Sequence, residues 1–180
     1  EAGAIYGGLI FVASSPRAVD DQQAQAVMAA APLSYVGVFR DAAIEEVVTR
    51  ATNLKLAAVQ LHGSEDQAWI DALRAALPEQ IQIWKALSVG ETLPPRNLNH
   101  VDRYVFDNGQ GGSGQRFDWS LLQGQDLRNV MLAGGLSADN CVEAAKSGCA
   151  GLDFNSGVES QPGIKEASLV AAVFQTLRAY

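Results

Sequence analysis

Residues 129–155 read NVMLAGGLSADNCVEAAKSGCAGLDFN: a short apolar run, a helical segment and a second apolar run. The first run ends at Gly134–Gly135. The segment ADNCVEAAK closes on Lys146-Ser147-Gly148, where Gly148 reads as the C′ residue of a helix, free to take the left-handed conformation that ends helices. The second run, GLDFN, follows at once. A strand, a helix and a strand with no room for a hairpin require a crossover connection, so the two strands run parallel.

The same alternation extends outward along the whole chain. IYGGLIFVA precedes DDQQAQAVMAAAP, in which Ala24, Val27, Met28 and Ala31 recur at helical spacing. YVGVF leads into AIEEVVTRA, AAVQL into EDQAWIDALRAAL, and IQIWKAL into the Pro-interrupted ETLPPRNLNH. RYVFD pairs with the short helix DWSLL, NVMLAG with ADNCVEAAK, and GLDFN with EASLVAAVFQTL. Seven strands are expected, each flanked by turn residues. Strict alternation implies a parallel sheet covered by helices, either doubly wound or a closed (βα)8 barrel. Arg17, His62, Ser88, Asp107 and Asn155 all fall at or just past the C-terminal ends of predicted strands, where a barrel gathers its chemistry. The expectation is a (βα)8 TIM barrel showing seven of its strands. Glu1-Ala2-Gly3-Ala4 parallels Lys146-Ser147-Gly148-Cys149-Ala150 before a strand, so the chain is expected to start at the tail of a helix, as an N-terminally truncated single domain over 1–180 lacking its first βα pair.

Composition fits one globular domain. The chain has 180 residues, 48% of them hydrophobic and 18% charged, which excludes a disordered or low-complexity segment. A formal charge of −7 removes the driving force for a phosphate backbone or an anionic membrane surface, so neither nucleic acid nor membrane is an expected partner. The longest apolar stretch, Ile5 to Ala13, is broken by Gly7 and Gly8 and falls far short of the ~20 residues of a spanning helix. Cys141 and Cys149 form no Cys-x-x-Cys or Cys/His cluster, so no metal is expected. They read as reduced, buried thiols of a cytoplasmic protein.

Gly109, Gly111 and Gly114 formally match Gly-x-Gly-x-x-Gly, but DWSLL is too short for a dinucleotide-binding helix, and the next strand ends in glycines rather than an acid. Gly111, Gly112, Ser113 and Gly114 read better as a loop closing over a ligand. Gly134, Gly135, Ser156 and Gly157 follow two successive strands, where backbone N–H groups can approach a phosphate. Asp107 ends an apolar strand facing the glycine loop and suits a general acid, with a loop-capping aspartate as the plainer alternative. Asp118 reads as an N-cap. Asp153 is placed within the last strand as an orienting group. His62 is either a ligand contact or a satisfied strand-end histidine, and Arg17 is a partner for a carboxylate or a solvated arginine.

GLIFVASSPR, VGVF, AVQLHG, DNGQGGSGQRFDW, LAGGL, DNC and DFNSGVES-PG-K together resemble phosphoribosylanthranilate isomerase of tryptophan biosynthesis, over Gly3 to Tyr180. The similarity is narrower still to the isomerase half of bifunctional enzymes that also carry indole-3-glycerol-phosphate synthase. It implies a (βα)8 barrel and an Amadori rearrangement of N-(5′-phosphoribosyl)anthranilate to 1-(2-carboxyphenylamino)-1-deoxyribulose 5-phosphate. It implies Asp107 as general acid and Arg17, His62 and Asp153 as substrate contacts. Gly134, Gly135, Ser156 and Gly157 would hold the phosphate, with no cofactor and no metal. The general base implied is a cysteine in a Val-Cys-Gly-type motif, absent from this chain, so the chain alone is expected to turn over weakly or not at all. A fused synthase domain in a longer protein, and self-association through unclosed sheet edges, are the expected macromolecular partners. The alternatives are a non-catalytic fragment that binds phosphorylated ligands, and another phosphosugar isomerase or epimerase.

Overall fold

The computed structural model describes residues 2–109 and 116–180, which fall into two compact units. The glycine-loop residues Gly111, Gly112, Ser113 and Gly114 lie outside the described residues.

The first unit comprises Ala4–Ala86 with Asn97–Asp102. Its strands β1 (Tyr6–Ile10), β2 (Ser34–Phe39), β3 (Ala58–Leu61) and β4 (Gln82–Ser88) alternate with helices α1 (Asp21–Ala30), α2 (Ile44–Asn53) and α3 (Gln67–Ala76). Neighbouring strands are parallel, with Tyr6 opposite Ser34, Val36 opposite Ala58, and Ala58 opposite Gln82. All four residues of β3 are buried, as expected of a central parallel strand. Leu9, Phe39, Val59, Leu61 and Ile83 from the strands meet Val47, Ala51, Ile70 and Leu73 from the helices in one core. Two helix starts are fixed by the local sequence. Asp20 and Gln23 form a reciprocal capping box on α1, and Asp66 accepts from Trp69 N on α3.

The second unit comprises Leu87–Arg96 and Arg103–Tyr180 with the first residues of the chain. It holds the end of β4, then β5 (Arg103–Asp107), β6 (Val130–Leu132), helix α4 (Cys141–Ala145), β7 (Gly151–Leu152), a hairpin of β8 (Glu159–Gln161) and β9 (Ile164–Lys165), and α5 (Ala167–Ala179). β5, β6 and β7 are parallel in sequence order, with Phe106 opposite Leu132 and Leu132 opposite Leu152. Gly148 takes the expected left-handed conformation, with φ 77°, but it lies two residues past Lys146, the C-cap of α4, rather than at C′; Gly3 repeats the positive sign at 114°.

Four details differ from the sequence reading. ETLPPRNLNH forms no helix, because Pro94 and Pro95 lack the N–H donors a helix needs there. Arg96 instead ties the stretch to Asp126 O at 2.6 Å and Asn129 Oδ1 at 3.1 Å. β7 stops at Leu152, so Asp153 follows the strand rather than lying within it. Cys149 is half-buried, unlike buried Cys141; both thiols are free. The β8–β9 hairpin, antiparallel and turning through Pro162 and Gly163 (φ 87°), was not expected.

Candidate active site

In the second unit the ends of β5, β6 and β7 bring the candidate groups together in order. β5 terminates at Asp107, whose carbonyl accepts from Val89 N at 2.7 Å and whose Oδ1 accepts from Gly109 N at 3.1 Å. Gly109 has φ 76° and lies so close to Ser88 that a Cβ would stand 2.8 Å from Oγ, so the chain leaves the strand in a shape reserved for glycine. Asp153 N donates to Leu132 O at 2.8 Å, which sets the second carboxylate one residue past β7.

The glycine turns after β6 and β7 interlock. Gly134 and Gly135 take φ of 87° and 68°. Asn140 Nδ2 donates to Gly135 O at 2.8 Å and Asn140 Oδ1 accepts from Ser137 N at 2.9 Å, so one side chain fixes the first turn. Ser156 and Gly157 open a short 3-10 turn, Ser156–Val158. Gly157 packs directly on the Leu136 carbonyl, leaving no room for any side chain. Lys165 closes the second turn from β9: Nζ donates to Asn155 O at 3.1 Å, Asn155 Oδ1 at 2.6 Å and Glu159 Oε1 at 2.9 Å. Lys165 carries no expectation from the sequence beyond its place in the DFNSGVES-PG-K motif.

Charge is unevenly placed here. Crowding by surrounding protein atoms pushes the Asp153 carboxyl up, the Asp107 charge pushes the same way, and the Lys165 ammonium pulls it down. Water still reaches Asp153 and screens part of that push. A carboxyl raised above its unfolded value destabilises the fold once pH exceeds the unfolded pKa, and increasingly up to the folded one. Asp153→Asn therefore raises the unfolding midpoint at pH 7, and the gain fades as pH falls toward the ordinary carboxylate range; a gain unchanged by acid in thermal melts refutes this origin. Asp118 behaves as the expected N-cap, its carboxyl held low by hydrogen bonds from Ser120.

In the first unit Arg17 lies in the loop after β1, half-buried, its N–H bonded to Ser15 Oγ at 3.1 Å. His62 comes directly after β3, with N donating to Phe39 O at 2.8 Å. Beside it stands a group the sequence reading missed. Glu65 and Lys85 form an ion pair at 2.7 Å with only 6% and 5% of the residues exposed. The one available signal was a lysine inside the apolar strand IQIWKAL. Cys141, held high by burial, opens α4, and Cys149 precedes β7; neither ends a strand. Among the described residues, no three His, Cys, Asp or Glu side chains are placed to hold a metal ion. No helix among them is long and apolar enough to cross a membrane.

Two carboxylates and two interlocked glycine turns on adjacent ends of parallel strands make an arrangement typical of an α/β enzyme. The model of the N-(5′-phosphoribosyl)anthranilate (PRA) isomerase family matches residues 1–176, and the chain belongs to that family. Over all of its 180 residues it is 72% identical to the tryptophan biosynthesis protein TrpCF of Salmonella typhi, of which it covers 40%. The crystal structure of phosphoribosyl anthranilate isomerase from Thermus thermophilus superposes with a TM-score of 0.85 at 31% identity, covering 99% of this chain and 90% of that one. A phosphoribosyl anthranilate isomerase solved with reduced 1-(o-carboxyphenylamino)-1-deoxyribulose 5-phosphate gives 0.81 at 26% identity, with 99% and 90% covered. The chain spans about two fifths of the length of the curated relatives it matches.

Proposed function

We propose that this chain is the isomerase domain of tryptophan biosynthesis, converting N-(5′-phosphoribosyl)anthranilate to 1-(2-carboxyphenylamino)-1-deoxyribulose 5-phosphate. The observation that carries the reading is the grouping of Asp107, Asp153 and the interlocked Gly134–Gly135 and Ser156–Gly157 turns on successive strand ends, in a chain of this family. In this reading the seven strands belong to one (βα)8 barrel domain in the cytoplasm, where its two thiols stay reduced. The remainder of a longer protein carries indole-3-glycerol-phosphate synthase.

Asp107 acts as general acid. Its proton passes to the furanose ring oxygen as the C1′–O bond breaks, and the anthranilate nitrogen lone pair completes a C1′=N Schiff base. A base then removes the C2′ proton; the electron pair forms the C1′=C2′ bond of an enolamine, the nitrogen regains its lone pair, and tautomerisation gives the ketone. Proton transfers suffice for every step. The glycine turns hold the phosphate through backbone N–H groups, Arg17 meets the anthranilate carboxylate, and His62 lines the site. Asp153 supports the reacting groups. The family resemblance implies a strand-end cysteine as the base, a position that neither Cys141, at a helix start, nor Cys149, before a strand, occupies.

Turnover of N-(5′-phosphoribosyl)anthranilate, followed by chromatography of the product, tests the assignment. Weak turnover by the 180-residue chain, restored by a segment that supplies a strand-end cysteine, is the expected result. Full turnover without that segment overturns the account of the base. A different phosphosugar reacting in place of this substrate overturns the substrate.

A further inference from the structure

The loop that carries His62 is held through its backbone at His62 N, Gly63 N, Gly63 O and Ser64 N, and a buried ion pair that the proposed chemistry does not use supplies both bonds at Gly63. Lys85 lies in β4 opposite Leu61, the last residue of β3. Its Nζ reaches past the strand end to Gly63 O at 2.7 Å and to Glu65 Oε2 at 2.7 Å. The Glu65 carboxylate turns back on the same loop: Oε2 accepts from Gly63 N at 2.9 Å and Oε1 from Asp41 N at 2.8 Å. Asp41, bent into the left-handed region at φ 49°, accepts from both Ser64 N and Ser64 Oγ at 2.7 Å, which holds its carboxyl low. Gly63 packs so closely on the Asp41 carboxylate that a Cβ would overlap it.

Stability alone is a poor reason for such a pair. Removing two charges from water costs several kcal/mol per ion, and apolar replacements of buried pairs are often neutral or stabilising. What the pair does here is directional. Every one of its partners outside itself is main chain of the two loops after β2 and β3, and the second of these begins with His62.

We propose that Glu65 and Lys85 are positioning residues, a clasp that holds the His62–Gly63–Ser64 backbone in the one conformation that presents His62 to the phosphorylated ligand. The proposal rests on the reading of His62 as a site residue. A ligand contact on an unsupported loop loses affinity to the cost of ordering that loop on binding, and the clasp meets that cost during folding.

The test is calorimetric titration of the 180-residue chain with reduced 1-(o-carboxyphenylamino)-1-deoxyribulose 5-phosphate. The variants are His62→Ala, the paired replacement Lys85→Met with Glu65→Leu, and all three changes together. The paired replacement leaves no charge buried, and thermal melts verify that it folds. Gly63→Ala, whose Cβ would overlap the Asp41 carboxylate, disturbs the same loop with both charges of the ion pair kept, and reads it if the paired variant fails to fold. The expected result is about a tenfold loss of affinity for His62→Ala, a similar loss for the clasp variants, and no further loss when they are combined. The histidine NMR signals of the clasp variants, assigned by their loss in His62→Ala, should broaden or shift while the fold is kept. If His62→Ala weakens binding but the clasp variants bind normally, or if the losses multiply, the clasp proposal is overturned while the site reading stands. If His62→Ala binds as well as the parent chain, the site reading of His62 fails and takes the clasp with it.

Discussion

Asp107→Asn lowers kcat by about 10²- to 10⁴-fold, the span a positioned general acid contributes, and leaves binding of the reduced product analogue within a few-fold of the parent. Asparagine is nearly isosteric, and its Oδ1 can still accept from Gly109 N, the contact that shapes the exit from β5. What it cannot do is deliver a proton to the ring oxygen, so the loss falls on the step that opens the furanose. The variant also removes the like charge that adds to the upward push on Asp153, so the Asp153 carboxyl should fall slightly while burial still holds it up. Steady-state kinetics in the enzyme completed with its base, alongside calorimetry with the analogue, separates the two quantities. Retained kcat moves the acid to another group. A parallel collapse of binding shows that Asp107 holds the ligand rather than the proton.

The strand-end location of Asp107 was legible because β5 holds the apolar run Tyr104–Phe106 with one acid at its end, and all seven parallel strands were legible as elements, although β7 stops at Leu152, short of Asp153. Buried parallel strands announce themselves by Val, Ile, Leu and Phe between turn residues. The β8–β9 hairpin was not legible, since ESQ and IK are too short and too polar to stand out, and only the Pro162–Gly163 turn hinted at it. The Pro-interrupted stretch after β4 forms no helix for a local reason already in the sequence, the paired prolines. The candidate site divides in the same way. Glycine pairs after strands could be read as turns, because backbone shape there is dictated locally. The Glu65–Lys85 pair could not, because it joins a loop to the neighbouring strand through burial that only the folded chain creates. The crowding that raises Asp153 is likewise a property of the assembled strand ends.

Gly157→Ala tests whether the glycine turns are an anion cradle or merely tight connections. The Cβ would overlap the Leu136 carbonyl oxygen and stand 2.9 Å from its carbon, and neither belongs to a side chain that could swing aside. Backbone must move on one turn or both. Asn140 resists movement of the first turn through Gly135 O, and Lys165 resists movement of the second through Asn155. Strain of this kind costs about 1–3 kcal/mol of stability. Binding suffers for a separate reason. Backbone N–H groups hold an anion only when aimed together, so a shift of one turn against the other spoils their convergence. The affinity of the reduced analogue should fall about tenfold or more, a loss of ~1.4 kcal/mol or greater, and inorganic phosphate should cease to protect the fold against heat. Gly124→Ala is the control for the second quantity. Gly124 has a positive φ, at 73°, and open space around it, so alanine there strains the backbone without touching either turn. Equal loss of phosphate protection in both variants would sink the cradle; loss in Gly157→Ala alone ties phosphate to the interlocked turns.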